Sequence, residues 1–383
     1  IEWDEGEAWQ QAELEAMVDF DPSRQGFTIQ KEGDAPGAIG DSPTLTAEYF
    51  TPLAAHAHLE PQAAMVHVDG DKVTVYGSTQ AQASVQADIA DITGIPAENI
   101  DVVPTYLGGG FGRRLNIEAA NEAARLSQAA GVPVHVGWSR LEDMRYGYFR
   151  PPTRSRMSAK IENGRVTAFA HDHASGPVAF PFFPGALQYV FGTDFGSWRG
   201  AFNFYEGIEN RDLTTWLIDL PVRTGWWRGL GLLANVFATE GFMDELAYAA
   251  GADPYQFRLD HLGTDPFSER MRGVLTAAAE RSGWGEALPE GRARGIAAST
   301  DVDTVVAQVA EISYDADSGR IKVHKVTSAV DAGLFINPDG AIAQTQGSII
   351  MGLSSTLIEE ITVKDGGIEA DNFGRYPLIT MDM

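Results

Sequence analysis

The order of apolar and polar positions divides the chain into short strands and medium-length helices with no regular alternation between them. Ala63–Val68 and Lys72–Tyr76 alternate around Asp69-Gly70-Asp71, which predicts a hairpin with the Asp-Gly pair at its turn. Gln82–Thr93 has helical spacing and is closed by Gly94, with Pro96 beyond it. Ile100–Tyr106 predicts a strand, and Ile117–Ala130 an Ala-rich helix ending at Gly131. Pro133–Trp138 predicts another strand, and Met157–Ala170 a strand pair broken at Gly164. Pro177–Pro184 reads as an aromatic, proline-rich loop.

In the second half, Asn235–Ala250, Asp253–Leu262 and Ser268–Ser282 predict helices, the second capped by Asp253 with Pro254 at its first position. Val305–Tyr314 and Ile321–Val330 flank a turn at Asp315–Gly319, and Ala341–Glu359 predicts a mostly apolar helix before a last strand. At the start, Trp3–Phe20 is acidic and helix-permissive, and Gly33–Pro43 reads as a linker. This irregular mixture predicts an α+β fold rather than a doubly wound sheet.

Composition narrows the function. The 383 residues are 44% hydrophobic and 21% charged, which suits a globular chain of two or three domains. The net charge of −25 argues against nucleic-acid partners and anionic lipid. With no cysteine, the chain holds no disulfide, thiolate zinc site, cysteine nucleophile or iron–sulfur cluster of its own. No run of about 18 apolar residues suggests a membrane span, and no segment resembles a signal peptide. The charge is uneven: residues 1–50 carry 12 acidic and 2 basic side chains, and residues 101–160 carry 9 basic and 5 acidic. A positive island in an acidic chain predicts an anionic ligand there.

Within that island lies Gly108-Gly109-Gly110-Phe111-Gly112-Arg113-Arg114, after a predicted strand and before a predicted helix. Backbone N–H groups in such a loop can hold an anion, glycines allow close approach, and Arg113 and Arg114 add cationic forks suited to phosphate. The spacing fits neither a P-loop nor the dinucleotide fingerprint. A tight turn with exposed arginines is the alternative.

Four other groupings carry weaker signals. Gln80, in Ser78-Thr79-Gln80, offers an amide donor for an oxo or carbonyl oxygen, or satisfies loop backbone. His56, His58 and Glu60 have metal-like content, but the scattered remaining histidines favour a hydrogen-bonded structural cluster over a metal. Trp226-Trp227-Arg228 is a packed corner, or the wall of a pocket that holds an anion. Glu240, Asp244 and Glu245 read as a solvated or capping helix face rather than an acid–base pair.

Taken in order, these pieces resemble the molybdenum-binding large subunit of the xanthine dehydrogenase and aldehyde oxidase family, nearest to its isoquinoline 1-oxidoreductase beta-subunit-like branch. The resemblance rests on His56-Ala-His-Leu-Glu-Pro61, Ser78-Thr-Gln80, Leu107-Gly-Gly-Gly-Phe-Gly-Arg-Arg114, Trp227-Arg-Gly-Leu-Gly231 and Phe242-Met-Asp-Glu-Leu-Ala247. Ala250-Gly-Ala-Asp-Pro254, Val330-Asp-Ala-Gly333, Asn337-Pro338 and Asn372-Phe-Gly-Arg-Tyr376 complete it.

The resemblance implies mixed-sheet molybdenum-cofactor-binding domains at residues 48–215 and 216–383, after an acidic segment and linker at 1–47. It implies a molybdenum-dependent oxidoreductase acting on an aldehyde or N-heterocycle with water as oxygen source. The cofactor would be molybdenum–molybdopterin cytosine dinucleotide. Gln80 would donate to an oxygen ligand of the metal. Gly109, Gly110, Phe111, Gly112, Arg113 and Arg228 would bind the cofactor.

The implied partners are a [2Fe-2S] iron–sulfur subunit, with a c-type cytochrome as the other electron carrier, and the remaining segments of the large subunit. The implied location is the periplasm. Leu115 and Leu230 stand where purine-oxidising relatives place a carboxylate and an aromatic ring, which disfavours xanthine. The family's catalytic Glu would lie past the Tyr376 segment, outside this chain, and so would the Gly-Gln-Gly motif that this branch carries toward its N-terminus. The chain is therefore expected to be a central piece of a longer subunit. The alternative is a non-catalytic fragment or scaffold that keeps the fold and the loop.

Overall fold

The computed structural model describes residues 6–20, 23, 26–182 and 192–381. Its first sheet has the order β1 (Phe27–Glu32), β9 (Asn210–Leu217), β8 (Arg165–Ser175), β7 (Thr153–Glu162) and β2 (Leu45–Thr51). β8 and β9 run parallel and the other neighbours antiparallel. The second sheet, β5 (Ile100–Pro104), β4 (Lys72–Gly77), β3 (Ala63–Asp69) and β6 (Val134–Gly137), has its own apolar core with the helices Gln82–Thr93 and Glu118–Ala130. The third is the meander β10 (Arg292–Asp301), β11 (Thr304–Asp315) and β12 (Arg320–Asp331).

One large core joins the first and third sheets. Met157 and Phe169 from the first pack with Phe242, Met243 and Leu246 of helix Leu232–Ala249, and with Ile296 and Val309 of the third. That helix contributes apolar residues on most of its circumference, as expected of a helix enclosed on several sides. No helix among the described residues is long and apolar enough to cross a membrane.

Helix Gln82–Thr93 forms as read, and Gly94 closes it in the left-handed conformation at φ 72°. Asp253 caps helix Pro254–His261 by accepting from the N–H groups of Tyr255 and Gln256.

The acidic N-terminal stretch differs from the reading. Among the described residues its helix spans only Gln11–Met17, and residues 3–5 of the expected helix lie outside them. The expected linker holds a short helix, Ala35–Ile39, capped by Asp34, and the preceding residues form β1 against β9. β1 is mostly exposed, so its sequence lacks a clean apolar face. β9 and β10 are also absent from the sequence reading. Charged residues open the first, and Ala, Gly and Ser dominate the second. The aromatic loop is described as far as Phe182, and its residues 183–184 lie outside. Residues 379–381 pair with no strand; Ile379 instead donates its N–H to Ser354 Oγ.

Two histidines at the centre of β8 make the fold sensitive to acid. His171 and His173 are fully buried, with ring nitrogens facing the Ala201 carbonyl and Ser155 hydroxyl, and the Thr215 hydroxyl, respectively. Burial pushes His171 down to about 4, although the Ala201 carbonyl resists the shift. Burial and the nearby His171 push His173 down to about 3. Both values fall below the unfolded value, so below about pH 6.5 the unfolded chain binds more protons and stability declines as pH falls. Two such groups at full slope cost about 2.7 kcal/mol per pH unit. The urea midpoint is therefore expected to drop steadily from pH 6 to pH 4, and a flat midpoint over that range would contradict this assignment.

Candidate cofactor site

After β5, the chain turns through Tyr106–Gly112 into one short turn, Arg113–Leu115, and then enters helix Glu118–Ala130. Gly109, Phe111 and Gly112 take φ values of 97°, 56° and 101°. Glycine is needed at two points. A Cβ on Gly110 would lie 2.5 Å from Gln80 Oε1, and one on Gly112 would lie 2.4 Å from the Trp226 carbonyl oxygen.

Gln80 holds this turn from β4's end. Its Oε1 accepts from the N–H groups of Gly112 at 3.1 Å and Arg114 at 3.3 Å, and its own N–H donates to the Arg114 carbonyl. With the oxygen committed, the amide orientation is fixed and Nε2 has no partner among the described residues. One end of the side chain thus satisfies backbone, and the other is a free donor. The N–H groups of Gly109, Gly110 and Phe111 also have no partner among the described residues, so the turn presents three consecutive free donors.

The arginines correct the expectation of exposed cationic forks. Arg113 and Arg114 are buried. Arg113 is bidentate to Glu118 at 2.9 and 3.1 Å and lies over the rings of Trp138 and Tyr148. Arg114 pairs with Glu60. These side chains brace the turn from behind, although Arg113 Nε and Arg114 Nε and Nη1 are buried without a partner among the described residues. Much of the positive island is neutralised in the same way, with Arg140 on Asp143, Arg145 on Asp371, and Arg154 and Arg156 on Glu48.

His56 and His58 do not share a strand face. His56 is wedged between the carbonyls of Tyr148 and Trp226, while His58 meets Asp143 at 2.8 Å. No group of three His, Asp or Glu side chains among the described residues could hold a metal. Each of these two histidines is held by structural contacts, His56 by backbone carbonyls and His58 by Asp143. Glu240, Asp244 and Glu245 are likewise structural: the first two bind Arg258, and the third accepts from the Tyr49 hydroxyl.

The Trp226–Arg228 corner closes the site. Trp227 is fully buried and donates through Nε1 to the Ala55 carbonyl. Arg228 donates its backbone N–H to the Phe111 carbonyl at 3.0 Å, and its guanidinium lies 5.0 Å from the Phe111 ring centre. The same guanidinium donates to the His56 carbonyl at 2.9 Å and to Glu359 at 3.3 Å. Glu359, missed in the sequence, is buried and also accepts from the Tyr376 hydroxyl at 2.9 Å. Its place at the end of an apolar helix gave no local signal, because its partners lie far away in sequence. Asp194 was also missed. Its buried carboxylate accepts from the N–H groups of Val178, Ala179, Phe180 and Gly196, which shapes the loop whose Phe182 stacks on Trp226.

Residues 19–262 match a molybdopterin cofactor-binding domain family, and residues 279–383 match a second family of the same description. The chain belongs to the molybdopterin cofactor-binding family. It is 32% identical to the beta subunit of isoquinoline 1-oxidoreductase from Brevundimonas diminuta, across 100% of this chain and 47% of that protein. It is 27% identical to a nicotinate dehydrogenase subunit from Pseudomonas putida, across 94% of this chain and 32% of that protein. The chain thus spans about half or less of the length of these relatives.

Solved structures of the family share its mixed α+β fold. Quinoline 2-oxidoreductase from Pseudomonas putida 86 superposes with a TM-score of 0.76 at 14% identity, covering 94% of this chain and 71% of that one. CO dehydrogenase from Oligotropha carboxidovorans gives 0.73 at 13% identity, covering 92% and 69%. The donor set fits an anionic molybdopterin cofactor. Three free N–H groups and the free amide of Gln80 sit beside the turn, and Arg228 backs it with an Nε that is buried and unpartnered among the described residues.

Proposed function

We propose that this chain is the cofactor-holding part of a molybdenum hydroxylase that oxidises an aldehyde or N-heteroaromatic compound with water as oxygen source. The observation that carries this reading is the amide of Gln80. Its oxygen is tied to Gly112 and Arg114, and its Nε2 remains a free donor beside the free N–H groups of Gly109, Gly110 and Phe111. When bound, a molybdenum–molybdopterin cytosine dinucleotide would supply the redox centre, and a [2Fe-2S] partner subunit or a cytochrome would accept its electrons. The chain's own part is to bind and orient. Gln80 would hold an oxygen ligand of the metal in place, the glycines would let the backbone approach, and Arg228 would brace Phe111 through its backbone N–H and its guanidinium.

Substrate class follows from the chemistry beside the turn. Leu115 and Leu230 offer neither a carboxylate nor a ring for a purine. Glu60, Glu118 and Glu359 are each engaged by an arginine, so the carboxylate that moves the substrate's proton is assigned to a segment outside this chain.

Gln80→Ala in the assembled complex tests the reading. Molybdenum content should fall, because the turn loses both of its ties to Gln80 Oε1, and kcat per bound molybdenum should fall about a hundredfold, the effect of removing one positioned donor. An unchanged kcat would remove Gln80 from the site. A wild-type complex without molybdenum or pterin would leave the non-catalytic scaffold as the better description.

A further inference from the structure

Behind the glycine-rich turn the buried charges do not balance. Arg150 is 2% exposed, and its backbone is pinned to Ala54 in both directions. One nitrogen, Nη2, donates to the Pro52 carbonyl at 2.8 Å, but Nε and Nη1 have no partner among the described residues. The guanidiniums of Arg150 and Arg228 each lie 4.8 Å from the Trp227 ring centre, and Arg228 is in turn 5.0 Å from the ring of Phe111 in the turn.

The carboxylate of this cluster is Glu359. One of its oxygens takes Arg228, and the other is occupied by the Tyr376 hydroxyl. Two cations therefore share one anion. Burial pushes Arg150 down to about 10 against the pull of Tyr376 and Glu359, with Arg228 adding to the fall, so it still carries its charge at neutral pH. The neighbouring cations cannot be the reason for the excess, because Arg113, Arg114 and Arg140 each have a carboxylate of their own. An unpaired buried cation is expensive to keep. It becomes reasonable when an anion completes the balance, and the free N–H groups of Gly109, Gly110 and Phe111 mark where an anion would sit.

We infer that Arg150 is a positioning residue for the anionic cofactor. Through the stack Arg150–Trp227–Arg228–Phe111, it places one net positive charge behind the turn, and this charge strengthens cofactor retention without contact. The inference rests on the function proposed above and adds a residue outside the turn. For any unit charge on the order of 10 Å from an anion, an effective dielectric of about 20 gives a change in retention of roughly tenfold.

The test compares the wild-type complex with Arg150→Met, Arg150→Lys and Glu359→Gln. Molybdenum and pterin per copy are followed during dialysis, together with the thermal midpoint. Arg150→Met should lose the cofactor about tenfold faster, and Arg150→Lys should lose it near the wild-type rate. Glu359→Gln should retain it at least as long as wild type, because removing that carboxylate raises the net charge behind the turn. A structural role for the cluster predicts otherwise. Loss from Glu359→Gln as fast as from Arg150→Met, or equal loss from the Met and Lys variants, would overturn the inference. If Arg150→Met fails to fold, Arg150→Lys and Glu359→Gln still decide it, because loss from either one about tenfold faster than from wild type overturns the inference. A wild-type complex that never holds molybdenum defeats the proposed function itself, whereas a loaded wild type with indifferent variants defeats only this role of Arg150.

Discussion

Replacing Gly112 with alanine is expected to yield a folded complex that holds almost no molybdenum. The backbone there sits at φ 101°, outside the range that side chains tolerate, and the new Cβ would meet the Trp226 carbonyl oxygen at 2.4 Å. That carbonyl cannot yield easily, because it is also held by the His56 ring. The turn must shift, and the Gly112 N–H that fixes the Gln80 amide shifts with it. Strain of this kind costs about 1–3 kcal/mol, while the loss of a positioned donor set falls on the cofactor.

Gly131→Ala is the matched control. Gly131 also has a positive φ, 69°, but nothing lies within 4 Å of a Cβ there. It should lose about 1 kcal/mol of stability with its molybdenum intact. Metal analysis and urea denaturation of both variants check this. Full molybdenum occupancy in Gly112→Ala would contradict the role given to the turn.

The second large effect is on stability alone. Glu240→Ala removes the carboxylate that accepts from the Tyr205 hydroxyl at 2.8 Å, from Arg258 Nε at 2.8 Å and from the Ala298 N–H at 2.7 Å. These contacts join helix Leu232–Ala249 to helix Pro254–His261 and to β10, and so tie the first matched region to the second. Arg258 is fully buried and would keep only Asp244 as a carboxylate partner. Breaking a buried pair from one side costs about 3–5 kcal/mol. We expect the urea midpoint to fall accordingly; a shift worth less than about 1 kcal/mol, the range of an exposed pair, would mean that Glu240 is not the keystone described.

Glu240 also shows where the sequence stops being informative. Its spacing to Asp244 and Glu245 is the ordinary pattern of a solvated helix face, and nothing local announces Arg258, 18 residues on, as its partner. The same holds for Arg113 and Arg114. A Gly-rich stretch with two arginines reads as a cationic loop until Glu60 and Glu118 come in behind it. Arg150 stands alone between Phe149 and Pro151, with no pattern to mark it.

What could be read in advance was local. Gly94 and Gly131 stop their helices, Asp253 caps the next, and Asp-Gly turns the β3–β4 hairpin. The turn at Gly109–Gly112 was legible because glycine suits the φ values at Gly109 and Gly112 and the close approaches at Gly110 and Gly112. The strands β1, β9 and β10 were not, because their apolar alternation is diluted by charged or small residues and their pairing is set by distant partners.

The central claim is that the turn and Gln80 hold a molybdenum centre. Anomalous diffraction from crystals of the assembled complex, measured at the molybdenum absorption edge, tests it most directly. One peak per copy of this chain is expected, in front of Gln80 Nε2 and the free N–H groups of Gly109, Gly110 and Phe111. A peak elsewhere on the chain, or a pure complex with none, would contradict the claim.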